Sequence, residues 1–179
     1  MNHQMVLQDV QRLVVRVQER GVDFAVGGGW AVDALLGNQT REHSDLDLWV
    51  RAEDLHDVLS VFVEEGIDRI LPWPGDRPWN WVVHDGRRKV DLHLFERIAA
   101  AGDWRYGGAL YSETFPEEAL QGQGTIGDLS VRCESARWSL EFHNSENPRD
   151  VDVRDMRLLC QHFGLDLPTR PGQPPGGDR

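Results

Sequence analysis

The segment Ser44 to Val50 alternates with a period of two, which restricts it to a β-strand with one face in a core. Leu46, Leu48 and Val50 fall on one face, and Asp45, Asp47 and Trp49 fall on the other. Two carboxylates side by side on a half-buried strand raise each other's pKa and resist joint ionisation. A divalent cation is the natural offset, so the strand predicts a metal site together with the sheet that carries it.

The neighbouring residues extend that sheet. Val22 to Val26 reads as a short strand ending in Gly27-Gly28-Gly29, and Trp30 to Leu36 reads as a helix closed by Gly37. Upstream, Val6, Val10, Leu13, Val14 and Val17 recur at helical spacing, predicting a helix over Gln4 to Arg20 that stops at Gly21. Ala52 to Glu65 predicts another helix, with Leu55, Val58, Leu59 and Phe62 on its buried side and Gly66 at its end. Trp79 to His84 and Lys89 to Phe95 predict a hairpin across Asp85-Gly86, which puts Asp91, His93 and Phe95 on one face. If that hairpin pairs with the Asp45 strand, three carboxylates converge. Short strands over Trp104 to Tyr111 and Leu129 to Cys133 follow, with helices over Ser135 to His143 and Val151 to His162.

The predicted fold class is therefore α/β (α+β): a small, mixed, mostly antiparallel sheet flanked by helices, with a C-terminal helical segment beside the site. Residues 1–167 read as a single domain, with an N-terminal core over about 1–100 and a C-terminal region over about 101–167. Residues 168–179 hold four prolines and three glycines, too little apolar surface to offset the entropy of ordering, and predict a disordered tail.

Charge and cysteine usage narrow the partners. Asp+Glu 30 against Lys+Arg 19, a formal net charge of -11, argues against a general nucleic-acid binder and suits a cationic small substrate. Cys133 and Cys160 lie far apart with no second ligand at metal spacing, which fits reduced thiols in the cytoplasm. The N-terminus lacks the cationic flank and apolar run of a secretion signal, and no stretch of eighteen apolar residues occurs, so no membrane partner is expected. Of the seven tryptophans, Trp73, Trp79, Trp81 and Trp104 surround the proline-rich loop and hairpin and read mainly as packing residues.

A strand that ends in glycines and opens a helix offers backbone N–H groups and a helix dipole to phosphate oxygens. The spacing at Gly27-Gly28-Gly29 fits neither the dinucleotide fingerprint nor a P-loop. The Asp45-Leu46-Asp47 strand downstream adds hard oxygen ligands for Mg²⁺, which commonly keeps positions open for nucleotide phosphates.

Gly28-Gly29-Trp30-Ala31-Val32-Asp33, followed by Thr40-Arg41-Glu42-His43-Ser44-Asp45-Leu46-Asp47, resembles the DNA polymerase β-type nucleotidyltransferase superfamily. Within it, the block Phe24 to Val50 is similar to the small antibiotic nucleotidyltransferases of both the aminoglycoside 2″ and the lincosamide types. Val90-Asp91-Leu92-His93 resembles the strand that carries the third carboxylate. Tyr111-Ser112-Glu113-Thr114, Arg132-Cys133-Glu134-Ser135 and Phe142-His143-Asn144 are more loosely similar to the lincosamide type.

The resemblance implies Mg²⁺-dependent transfer of a nucleoside monophosphate, AMP from ATP or its counterpart from another nucleoside triphosphate, to a small-molecule hydroxyl with release of pyrophosphate. It implies two Mg²⁺ ions held by Asp45, Asp47 and Asp91, with Asp91 also taking the hydroxyl proton. Gly28, Gly29, Arg41 and His43 would meet the nucleotide.

Arg41 reads equally as a triphosphate ligand or as half of a surface salt bridge, and His43 as a phosphate contact or a residue that fixes the loop. His93 would orient Asp91 or touch substrate, while Asp33 would bond the Arg41 loop or face water. Arg87 and Lys89 read as ordinary salt-bridge partners. The acceptor stays open: the acidic balance favours a polycationic aminoglycoside, and the C-terminal third favours a lincosamide. Competing readings are an antitoxin-type or protein-modifying nucleotidyltransferase acting on a partner protein, and an inactive binding module of the same fold.

Overall fold

A computed structural model describes residues 3–72, 79–98, 103–106 and 113–168. The first helix, α1 (Leu7–Glu19), buries Val10, Leu13, Val14 and Val17 completely along one stripe. Gly21 follows it with φ 77°, a left-handed conformation that glycine adopts without steric cost. β1 (Phe24–Gly27) runs directly into α2 (Gly28–Leu36), which ends at a left-handed Gly37.

β2 (Leu46–Arg51) comes next, and the helix expected over 52–65 divides into a 3₁₀ turn at Ala52–Asp54 and α3 (Leu55–Glu64). Tight 3₁₀ turns are common where a chain leaves a strand and enters a helix. Then come β3 (Arg69–Pro72), β4 (Asn80–His84), β5 (Lys89–Arg97), β6 (Trp104–Tyr106) and β7 (Glu113–Phe115). β8 (Gly122–Ile126) and β9 (Leu129–Cys133) form a second hairpin, followed by α4 (Ala136–His143) and α5 (Asp150–Phe163).

The strands make one sheet in the order β3-β4-β5-β2-β1-β9-β8, with β6 on β5 and β7 on β6. β2 pairs parallel with β5 and β1 parallel with β9, whereas every other pair is antiparallel. This is the mixed, mostly antiparallel sheet with flanking helices that the alternation patterns predict. It is longer than the patterns indicate because β3, β7 and β8 carry weak signals. β3 is exposed throughout, and β8 contains two glycines. One of them, Gly124, is required by packing, because a Cβ there would lie 2.3 Å from the carbonyl oxygen of Ala34 in α2.

The sheet's two faces bury different chemistry. Leu46, Leu48 and Val50 of β2 join Val90, Leu92 and Leu94 of β5 in the larger core, under α1 and α3. Each such side chain contributes about 1.5–3 kcal/mol on burial. On the other face Ala25, Trp49, Phe95, Trp104, Tyr106, Phe115, Ala119 and Leu120 form a second, mainly aromatic core. The carboxylates of β2 and β5 share that aromatic face. The predicted tail beyond Pro168, Trp73, and the expected strand residues 107–111 lie outside the described residues.

Candidate active site

Parallel pairing of β2 with β5 sets Asp47 opposite Asp91 and Trp49 opposite His93. The two carboxylates therefore meet on one face as the alternation demands, and Asp45 precedes β2 on the same face. Lys89 is two residues before Asp91 on β5. Its Nζ donates to Asp45 Oδ2 at 2.8 Å and to Asp91 Oδ2 at 3.1 Å. Lys89, expected as an ordinary salt-bridge partner, takes a position between two of the three acids that its local pattern does not indicate.

Asp91 is only 5% exposed, and its Oδ1 is buried without a hydrogen-bond partner. Burial and the nearby charge of Asp47 push its pKa up to about 6, against the opposing pull of Lys89. Burial would also raise Asp47, but His93 Nε2 donates to its Oδ1 at 2.9 Å, and the charges of His93 and Lys89 bring it below the ordinary carboxylate value. Burial alone would lower Lys89, but its bond to Asp45 and the charge of Asp91 outweigh that and raise it.

Trp49 and Glu134 extend the aromatic side of the site. The indole stacks on His93 with ring centroids 4.9 Å apart and donates from Nε1 to Glu134 Oε1 at 2.7 Å. Burial raises the pKa of Glu134, whose Oε2 is unpartnered, even though His143 and Trp49 act to lower it. The Trp49 position could have been found, since alternation alone puts it on the face of Asp45 and Asp47. Nothing in the local pattern brings Glu134 there, because it lies 85 residues away in sequence and arrives through the β1–β9 pairing.

The glycine turn abuts these acids. Gly28 has φ 57°, and a Cβ on it would stand 2.1 Å from Asp47 Oδ2. Its N–H points to Glu134 Oε1 at 3.4 Å. A Cβ on Gly29 would stand 2.3 Å from Arg41 Nη2 and 2.6 Å from His43 Nδ1. Thus Gly28 adjoins the carboxylates, while Gly29 adjoins Arg41 and His43.

Arg41 and His43 belong to a buried relay. Arg41 donates from Nε and Nη2 to Asp155 Oδ2 at 3.1 and 2.8 Å, and its Nη1 lies 2.9 Å from His43 Nδ1. His43 Nε2 in turn lies 2.5 Å from Asp33 Oδ2, and the ring packs on Trp30 at 4.5 Å. Asp33 Oδ1 accepts from the backbone N–H and the hydroxyl of Thr40, so Asp33 bonds the Arg41 loop rather than facing water. Asp155 of α5, at 1% exposure, is a partner that no local spacing indicates. At the start of α5, Arg149 feels the charges of Asp45 and Asp47 and adds a cation near the acids.

The donor set fits a divalent metal. It combines hard carboxylate oxygens, an orphaned buried oxygen on Asp91, and an ammonium standing where a cation is needed. Among the described residues no three acidic or imidazole side chains already converge as they would around an ion, and Lys89 Nζ stands between Asp45 and Asp91.

Comparison with known proteins adds to this geometry. Residues 9–159 match the family model described as aminoglycoside-2″-adenylyltransferase. A 2″-aminoglycoside nucleotidyltransferase of Escherichia coli is 44% identical over 165 residues, covering 88% of this chain and 87% of that protein. A lincosamide resistance protein of Staphylococcus haemolyticus is 24% identical over 147 residues, covering 77% of this chain and 84% of its own length. The fold matches the crystal structure of lincomycin-bound lincosamide antibiotic adenylyltransferase LnuA with a TM-score of 0.73 at 20% identity, over 88% of this chain and 98% of that one. It also matches ANT(2″)-Ia in complex with adenylyl-2″-tobramycin with a TM-score of 0.67 at 24% identity, over 88% and 89%.

Proposed function

The chain belongs to the aminoglycoside-2″-adenylyltransferase family and is a nucleotidyltransferase, and on that premise we propose that it transfers AMP from ATP to a hydroxyl of an aminoglycoside. The observation that carries this reading is the pairing of Asp47 with Asp91 beside the Gly28-Gly29 turn, with Asp45 linked to Asp91 through Lys89. The aminoglycoside is preferred to the lincosamide because sequence identity is 44% to the first type and 24% to the second. The net charge of -11 favours the same polycationic acceptor. In this reading residues 1–167 work as one unit in the cytoplasm, with neither nucleic acid nor membrane as a partner.

Asp45, Asp47 and Asp91 would hold Mg²⁺, two ions in the full site. Bound there, the metal neutralises the triphosphate and lowers the pKa of the acceptor hydroxyl. The chain's own residues do the rest. Gly28 and Gly29 open α2, whose first-turn N–H groups would meet a phosphate, and the absence of a Cβ lets Asp47 and the Arg41 guanidinium stand against the turn. Asp91 accepts the hydroxyl proton, the hydroxyl oxygen bonds to the α-phosphorus, and the bond to the β-phosphate oxygen breaks to release pyrophosphate. Arg41 and His43, tied to Asp155 and Asp33, hold the loop that leads into β2, and Arg41 presents its guanidinium at Gly29. His93, stacked on Trp49, keeps Asp47 ionised and fixed in direction.

A pyrophosphate-release screen tests the proposal with ATP, GTP, CTP and UTP against an aminoglycoside set and a lincosamide set. Release with ATP and aminoglycosides, lost in Asp45→Asn and Asp91→Asn, is the expected result. Activity that survives both substitutions sinks the mechanism, and release only with lincosamides reassigns the acceptor.

A further inference from the structure

Among the chain's 19 lysine and arginine residues, Lys89 is the single lysine. Every other basic position is arginine, including Arg87 and Arg88 immediately before it. The exception falls where two acids need a cation. The register of β2 against β5, which pairs Leu46 with Val90, brings Lys89 alongside Asp45. Its ammonium then reaches both Asp45 and Asp91 while the side chain stays 18% exposed.

Arginine and lysine differ in what they permit there. A guanidinium binds a carboxylate through a planar two-toothed fork, whereas an ammonium is a compact point charge on a flexible stem. An ammonium can occupy the seat of a small ion and leave it without dismantling a planar pair. It cannot share that seat: Mg²⁺ needs carboxylate oxygens at about 2.0–2.1 Å in near-octahedral geometry. Asp91 Oδ1, buried and unpartnered beside the oxygen that Lys89 holds, leaves a ligand position that the ammonium does not fill.

We propose that Lys89 is a placeholder for a divalent ion: in the nucleotide-free protein its ammonium holds the seat between Asp45 and Asp91, and metal binding displaces it. Lys89 is thus a positioning residue that sets the metal concentration at which the site assembles. The inference rests on the metal-site reading of the three acids and goes beyond it by assigning the competitor.

The test uses the full chain without nucleotide, with Mn²⁺ as the probe. Lys89→Met is expected to lower Tm in EDTA, since the acids then face each other unneutralised, and to tighten Mn²⁺ binding by about tenfold. Arg88→Met, which removes a neighbouring charge that does not touch Asp45 or Asp91, serves as the control for a general field effect and is expected to change Mn²⁺ affinity far less. In the wild type, acetylation of the chain's one lysine, read by mass spectrometry, is expected to accelerate when Mn²⁺ is added. This second measurement stands even if Lys89→Met fails to fold.

Mn²⁺ affinity unchanged or weakened in Lys89→Met, or lysine acetylation indifferent to Mn²⁺ that does bind, overturns the placeholder and leaves the metal site intact. An absence of Mn²⁺ binding in both proteins overturns the metal site itself, and the placeholder with it.

Discussion

Asp47 and Asp91 stand opposite each other across a parallel strand pair, each the register partner of the other, and their environments push their pKa values in opposite directions. Asp47 is held ionised through the hydrogen bond and charge of His93, against its burial. Asp91 is lifted to about 6, chiefly by burial and then by Asp47 itself. One acid is thus prepared as a fixed anion, and the other as a group that takes up a proton easily until a divalent ion arrives.

That division gives a pH dependence with a definite sign. Asp91 binds its proton more tightly in the folded than in the unfolded chain, so its contribution to stability is complete below about pH 4 and lost as pH rises through about 6. In EDTA the wild-type Tm is expected to fall across that window more steeply than that of Asp91→Asn. Saturating Mg²⁺ should flatten the wild-type slope. Equal slopes for the two proteins in EDTA would contradict the assignment.

Gly28 is expected to tolerate no side chain. Gly28→Ala puts a Cβ 2.1 Å from Asp47 Oδ2 on a backbone with φ 57°, combining a clash with a left-handed strain. The cost is about 1–3 kcal/mol of stability, together with weaker metal binding as Asp47 moves aside. Urea unfolding and Mn²⁺ titration measure the two effects, and wild-type values in both would refute the close approach.

Arg41 separates two roles by its partner. Because Asp155 is almost wholly buried, Arg41→Met strands an uncompensated carboxylate and is expected to cost about 3–5 kcal/mol. An arginine that served only the triphosphate would lose activity without that loss of stability. Denaturant unfolding of Arg41→Met and of the double variant Arg41→Met/Asp155→Leu decides between them, the second being expected to recover much of the loss.

Asp85 provides a control outside the three acids. It closes the β4–β5 hairpin by accepting from the N–H groups of Arg87 and Arg88 and from Arg88 Nε. These bonds overcome the opposing effect of burial and hold its pKa down at about 2. Their stabilising effect is present above about pH 4 and fades as pH falls through 2. Asp85→Asn should therefore lower Tm at pH 7 but not at pH 2, with nucleotidyl transfer intact where the protein is folded.

The sequence was legible wherever a short-range pattern carried the information. Alternation at Asp45 to Val50 and at Lys89 to Phe95 placed the acids on one face, and the parallel pairing of those strands makes Asp47 and Asp91 neighbours. Gly21 and Gly37 marked helix ends that the backbone adopts in left-handed geometry. β3 and β8 escaped because an exposed edge and a glycine-rich strand lack a buried alternating face. Glu134 and Asp155 escaped for another reason: each reaches the site from 85 and 114 residues away, through pairing and helix packing that no local period encodes. Lys89 was visible as a residue, but its position between Asp45 and Asp91 follows only from the β2–β5 register.

If Asp45, Asp47 and Asp91 direct nucleotide transfer to a drug hydroxyl, mass spectrometry of the acceptor reads the product. Tobramycin incubated with ATP, Mg²⁺ and the wild-type chain should gain the mass of one AMP, while EDTA or Asp91→Asn should suppress the gain by about a hundredfold or more. Unmodified tobramycin under all conditions, or adenylylation that proceeds equally well in Asp91→Asn, would contradict it.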